Sequence, residues 1–200
     1  MKKSLLLIFL IPSVSFCQQK NNSFPFKKKD QFFSVQYGFP NTIRNSLESF
    51  IGFNQTNKKS LGPFSVSYEY HINDLMSIGL NLSYASYSAD YKDALGFGLA
   101  FKGTLRNPAI LLQSIKYFES DSKAMLYAKG SIGINLWSGE YKRPDGSDYQ
   151  NFNAPTPLGY NAVVGVKYGF APDIFGYIEA GYGKYIVAAG LSFKISAKND

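Results

Sequence analysis

The chain has 200 residues, 45% hydrophobic, 18% charged and 16% aromatic, with a formal charge of +7 and a single Cys. That length allows one domain or two small ones. The aromatic load, 17 Phe and 15 Tyr beside few charges, excludes an ordinary disordered chain. The basic residues are dispersed rather than gathered on one helix or loop, so nucleic acid is not an expected partner. Eighteen Gly scattered among aromatic segments argue against a helical protein.

Residues 1–17 read as an export signal: Lys2 and Lys3, an apolar run from Leu5 to Ile11, then Pro12 and the small residues Ser13 and Ser15. The run is too short to span a bilayer as a mature helix. Cleavage after Cys17 would leave a mature chain without Cys, and so without disulfides or Cys-based metal sites. Cys17 also reads as the lipid-bearing Cys of a lipoprotein signal, although Phe16 stands where such signals carry a small residue. Residues 18–30 then form an N-terminal arm containing Lys27, Lys28 and Lys29, for contact with anionic headgroups or as a solvated tether.

From residue 31 onward the dominant signal is period two. Met76, Ile78, Leu80, Leu82 and Tyr84 alternate with Ser77, Gly79, Asn81 and Ser83. Successive strand side chains face opposite sides, so this is a strand with one apolar and one polar face. The pattern recurs, and eight strands are predicted at about 31–39, 63–72, 75–87, 96–118, 124–139, 158–170, 174–182 and 185–195. The fourth is too long for one span of about 9–11 residues. It projects beyond the membrane, bends at Asn107-Pro108, or hides a ten-stranded barrel.

The polar faces carry Gly, Ser, Asn and single charges, and the apolar faces end in Tyr or Phe. A soluble sandwich would bury the apolar face and cover the other with Lys, Glu and Thr. Small polar residues inside and aromatic girdles outside are what a lipid-facing barrel requires. The expected fold is therefore an all-β, antiparallel, up-and-down transmembrane barrel over residues 31–195, with a short tail at 196–200. Short links at 73–74, 119–123 and 171–173 alternate with longer polar segments at 40–62, 88–94 and 140–157, as periplasmic turns alternate with external loops. The inner girdle is predicted to hold Phe33, Tyr70, Tyr117, Phe170, Phe175 and Phe193. The outer one is predicted to hold Tyr84, Tyr87, Trp137, Tyr160, Tyr182 and Tyr185.

The segment from Thr156 to Ile195, with Gly165-Val166-Lys167-Tyr168, Pro172-Asp173, Glu179-Ala180-Gly181-Tyr182-Gly183 and Gly190-Leu191-Ser192-Phe193, resembles small outer-membrane β-barrel proteins of Bacteroidota. Those proteins are distant relatives of the OmpX, OmpW and OmpA barrels. Ile115-Lys116-Tyr117-Phe118 followed by Tyr127-Ala128-Lys129-Gly130-Ser131-Ile132-Gly133 is similar to the family's central hairpin. The resemblance implies residence in the bacterial outer membrane and insertion by the barrel assembly machinery. It carries no single activity.

By parity the lumen receives Glu69, Lys102, Lys116, Lys129, Lys167, Glu179 and Lys194. Excess positive charge would favour anions along an open path, but eight strands leave room only for side chains, so a filled lumen is expected. His71 is the only His and falls at the periplasmic end of the second strand, away from outer-leaflet substrates. With Ser67 and Glu69 nearby it forms at most a misplaced catalytic set, and no enzyme, cofactor or metal site is expected. Asp145-Gly146-Ser147-Asp148 lacks the full calcium-loop pattern and reads as a turn. The expected role is a structural barrel whose external loops contact surface ligands or envelope proteins. A narrow channel for small amphipathic or anionic solutes is the alternative, and a lipid-modifying enzyme stands a distant third.

Overall fold

The computed structural model describes residues 26–43, 53–93, 100–118 and 123–195. The expected signal at 1–17 with Cys17, most of the arm before Phe26, parts of three connections and the tail at 196–200 lie outside the described residues.

The strands are β1 (Gln31–Phe39), β2 (Phe53–Asn73), β3 (Met76–Asp93), β4 (Ala100–Tyr117), β5 (Ala124–Asn135), β6 (Ser138–Lys142), β7 (Asp148–Gln150), β8 (Leu158–Ala171), β9 (Ile174–Tyr182) and β10 (Val187–Ile195). Every pairing is antiparallel, and β1 bonds both β2 and β10, so the sheet closes in the order β1-β2-β3-β4-β5-β8-β9-β10. This is an eight-stranded barrel, and closure leaves no edge around the barrel belt, whereas β7 pairs with β6 alone and β2 before Phe64 with β3 alone. The two additional strands extend one wall: β6 continues β5 along the upper part of β4, and β7 folds back on β6.

The break between β5 and β6 has a local cause. Ala109 pairs with Asn135 and Arg106 with Ser138, so one register runs through both segments. Residues 136–137 lie opposite Asn107 and Pro108, and proline has no N–H for the ladder. The predicted strand 124–139 is thus one interrupted strand reaching Lys142, while β4 passes Pro108 as a single 18-residue strand.

β2 and β3 are longer than predicted. Phe53 pairs with Asp93 and Leu61 with Ser86, so the hairpin continues through segments expected to be loops. The alternation there is reversed in sense: Ala85, Tyr87, Ala89 and Tyr91 face in and Ser86, Ser88 and Asp90 face out, so the outward apolar row that marks the strands below is missing.

The wall is inverted relative to a soluble fold. Leu112, Val164, Ile178 and Ile132 are 60–66% exposed, whereas Glu69, Glu179 and Lys167 are 2–3% exposed. Apolar side chains facing out and ionic ones facing in suit hydrocarbon outside and a packed polar lumen inside.

Candidate functional site

The lumen is built in layers, counted from the end that carries Phe26 and Ile195, hereafter the terminus end. At that end, the turn through Lys29, with φ of 76°, swings Phe26 into the barrel mouth. The Lys29 amide donates to the His71 carbonyl at 2.8 Å, and the His71 amide to the Asp30 carbonyl at 2.9 Å. Lys194 closes the rim by pairing with Asp30 at 2.7 Å. Residues 26–30 are therefore anchored to the barrel end. Phe26 packs on Phe32, His71, Tyr117 and Phe175 with ring centroids 4.9–5.3 Å apart, as an edge-to-face aromatic plug.

Above the plug sits the first carboxylate. Oε1 of Glu69 accepts from Tyr117 Oη at 2.6 Å and Ser77 Oγ at 2.7 Å, and lies 3.0 Å from His71 Nε2. Oε2 takes Lys167 Nζ at 3.2 Å. The same ammonium donates to Tyr117 Oη at 2.7 Å and stands 4.8 Å over the Phe32 ring. Lys167 comes from β8, on the far wall, so this pair crosses the lumen.

The second carboxylate lies beside it. Oε1 of Glu179 accepts from Tyr127 Oη at 2.8 Å and pairs with Lys129, and Oε2 accepts from Tyr185 Oη at 2.5 Å. Asn161 Nδ2 in turn donates to Tyr185 Oη at 2.8 Å. Buried charges persist only when paired and hydrogen-bonded, and both carboxylates meet that condition. Two glycines make room for the tyrosines: a Cβ on Gly165 would lie 2.5 Å from Tyr127 Cζ, and one on Gly190 would lie 2.6 Å from Tyr177 Oη. A cavity lined by both networks holds about 10 Å³, roughly one water.

Towards the opposite end, Lys184 Nζ donates to Ser83 Oγ at 2.6 Å. A second aromatic layer follows, in which Ile43, Tyr87, Tyr91, Phe101, Leu105 and Tyr141 pack together. Beyond it Phe101 stacks on Tyr149 at 4.0 Å, and Lys142 pairs with Asp148 at 2.6 Å. The Asp145–Asp148 segment is a turn: Gly146 has φ of 84°, and the Ser147 amide and hydroxyl both donate to Asp145. Those bonds hold the Asp145 carboxyl below its usual range.

Of the predicted lumen residues, Glu69, Lys129, Lys167 and Glu179 meet inside, and Lys194 is inward on the rim. Lys102 and Lys116 are corrected: both face outward. β4 is apolar on both faces, Ile110 and Leu112 on one and Leu105, Leu111 and Ile115 on the other, so hydrophobicity could not choose its parity. Pairing of Leu80 with Leu112 and Ser83 with Ala109 decides it.

That choice also turns Tyr117 from the girdle into the lumen. Phe175 is buried by the alternation of β9, where Ile174 and Ile178 face outward. Tyr87 is three residues from outward Tyr84, and an unbroken register with β4 puts it inside. Tyr185 lies in the β9–β10 connection, before β10 begins, and folds back to Glu179. Trp137 packs against the upper aromatic layer, with Nε1 donating to the Thr156 carbonyl at 3.0 Å. Phe33, Tyr70, Phe170 and Phe193 lie on the outer face at the terminus end, and Tyr84, Tyr160 and Tyr182 on it at the other.

Sequence reading missed Phe26, Tyr127, Tyr177 and Ser77. Inward tyrosines at 127 and 177, with inward glycines at 165 and 190, were the available signal. His71 is buried in the plug, and Ser77 donates to Glu69 rather than to the His71 ring. No helix among the described residues is long and apolar enough to cross a membrane, which says nothing of strands.

Neither a family model nor a curated protein matches this chain. Among solved structures it is similar to the N-terminal β-barrel domain of Pseudomonas aeruginosa OprF, at 14% identity and a TM-score of 0.42 over 84% of this chain and 99% of that one. It is similar to the outer membrane protein OprG of Pseudomonas aeruginosa at 13% identity and a TM-score of 0.41, over 86% and 98%. E. coli Outer Membrane Protein W gives 12% identity and a TM-score of 0.49, over 84% and 99%.

Proposed function

We propose that this protein is exported and resides in the outer membrane as a barrel with a sealed lumen, serving as a structural element that makes contacts through its loop end. The observation that carries the reading is the filled lumen. The cavity lined by the two ionic networks holds about 10 Å³, room for one water and no solute, and aromatic clusters pack at both ends of the barrel. The apolar outer wall supports membrane residence, and the likeness of its last third to outer-membrane barrels of Bacteroidota supports passage through the barrel assembly machinery. Outer-membrane lipid is then its permanent partner, and surface ligands or envelope proteins meet the projecting β2–β3 and β6–β7 strands. A catalytic role finds no support in His71, which is enclosed and stacked on Tyr117.

The test is single-channel recording of the refolded full chain in planar bilayers. Conductance near background is expected. A stable anion-selective conductance would overturn the sealed barrel and promote a solute channel.

A further inference from the structure

Above the apolar band the outer wall changes character within one strand turn. On β3 the outward row runs Leu80, Leu82, Tyr84, then Ser86, Ser88, Asp90 and Lys92. On β4 it runs Ile110 and Pro108, then Arg106, Thr104 and Lys102. Ser88 stands four residues beyond Tyr84, which at about 3.3 Å per residue and a tilt near 40° is roughly 10 Å above the aromatic ring. That is the depth of lipid headgroups, not of acyl chains.

A polar cavity of about 340 Å³ opens at this level on the outer wall, lined by Asn57, Lys58, Lys59, Ser88, Asp90 and Lys102. Its cations converge because β2 is bulged. The register slips between Thr56 and Lys59, and Asn57 takes φ of 47°, so Lys58 and Lys59 both line the cavity. In a regular strand two successive side chains would point to opposite faces. Lys102 enters from β4, outward by the same register that excludes it from the lumen. Among the described residues none of the three lysines has a carboxylate within ion-pair distance, and Asn57 Nδ2 occupies Asp90 at 2.8 Å. Three ammonium groups outnumber the one carboxylate, Asp90, which Asn57 holds, and with the Ser88 hydroxyl around a space of this size they suit a phosphate on a sugar.

We propose that this cavity binds the phosphorylated sugar headgroup of an outer-leaflet glycolipid, with Lys58, Lys59 and Lys102 on the phosphate and Asn57 and Ser88 on sugar hydroxyls. The site rests on the outer-membrane reading, since only there does a phosphorylated glycolipid surround the barrel at this height. Lys92, outward on the same wall one step further out, extends the positive field.

The experiment uses the full chain refolded in phosphatidylcholine nanodiscs, with a diphosphorylated acylated glucosamine disaccharide titrated in and occupancy read by native mass spectrometry. The wild type is expected to take up the glycolipid. K58Q/K59Q/K102Q together should weaken binding by about tenfold or more, three charge-assisted contacts being lost. K116Q/K123Q, a loss of exposed charge at the opposite end, should leave it unchanged. Removing the lipid's phosphates should abolish binding, and free inorganic phosphate alone should bind without measurable occupancy. Equal binding by the wild type and K58Q/K59Q/K102Q, no uptake by the wild type, or occupancy by free phosphate alone would each overturn the site. Failure of the wild type to insert, read as loss of heat-modifiable gel migration, would overturn the outer-membrane reading itself, and the site with it.

Discussion

Glu69 and Glu179 solve one problem, burial of a carboxylate in a narrow barrel, in two ways. Glu69 on β2 reaches Lys167 on β8, which the strand order places on the opposite wall. Glu179 on β9 reaches Lys129 on β5, only two positions round the sheet, and takes its remaining bonds from Tyr127 and Tyr185 nearby. One pair is a cross-brace and the other a local clip. The cross-brace also supports more neighbours, because Tyr117, Ser77 and His71 all meet the same Glu69 oxygen. The contrast teaches that charge count says little about a lumen residue's importance; how far round the wall its partner lies says more.

The largest expected effect follows from cutting the brace. Glu69→Leu leaves Lys167 buried without a counter-ion and should lower unfolding stability in detergent by about 5 kcal/mol, the upper part of the range for breaking a buried pair. Glu179→Leu strands Lys129 alone, and about 3 kcal/mol is expected, read from the denaturant midpoint of the same preparation. Equal midpoints for the two variants would erase the distinction between brace and clip. Replacing both partners, Glu69→Leu with Lys167→Leu, should recover much of the loss, since apolar groups of similar volume substitute well for a buried ion pair.

Phe26→Ala comes next. The ring touches the plug beneath Lys167, with Nζ 5.3 Å from its centroid, so truncation should cost about 3 kcal/mol and admit water from the terminus end. Bilayer conductance should rise more in this variant than in Glu179→Leu, because Phe26 seals the mouth and Glu179 does not. No rise would show that the lumen is closed by its ionic layer alone.

The smallest effect sharpens the comparison from outside. Asp148→Leu removes an acid from an exposed pair with Lys142 and should leave the unfolding midpoint unchanged within error. Ser147→Cys in the same turn should react with an impermeant thiol reagent on intact cells, whereas Asp173→Cys in the β8–β9 turn should not. The reverse labelling would invert the barrel in the membrane.

Much of this was legible in the sequence. Strict alternation, as at Met76 to Tyr84, marked strands and their apolar outer faces, because side-chain direction in a strand has a period of two. Glu69, Lys129, Lys167 and Glu179 lie on polar rows flanked by clear apolar ones, so their inward direction could be read locally. Lys102 and Lys116 could not be placed that way, since β4 is apolar on both faces and only its neighbours' register chooses between them. Tyr185 precedes its strand, and no periodicity governs a connection.

By itself, then, the sequence determined an antiparallel barrel with apolar walls and a charged interior, because those properties follow from alternation within each strand. Only the tertiary structure decided which charge meets which, since Glu69 and Lys167 are 98 residues apart and closure alone brings them together. It also decided that Phe26 plugs the mouth and that a bulge at Asn57 gathers lysines outside. Those outcomes depend on register, turn geometry and closure, which are set between strands rather than along any one of them.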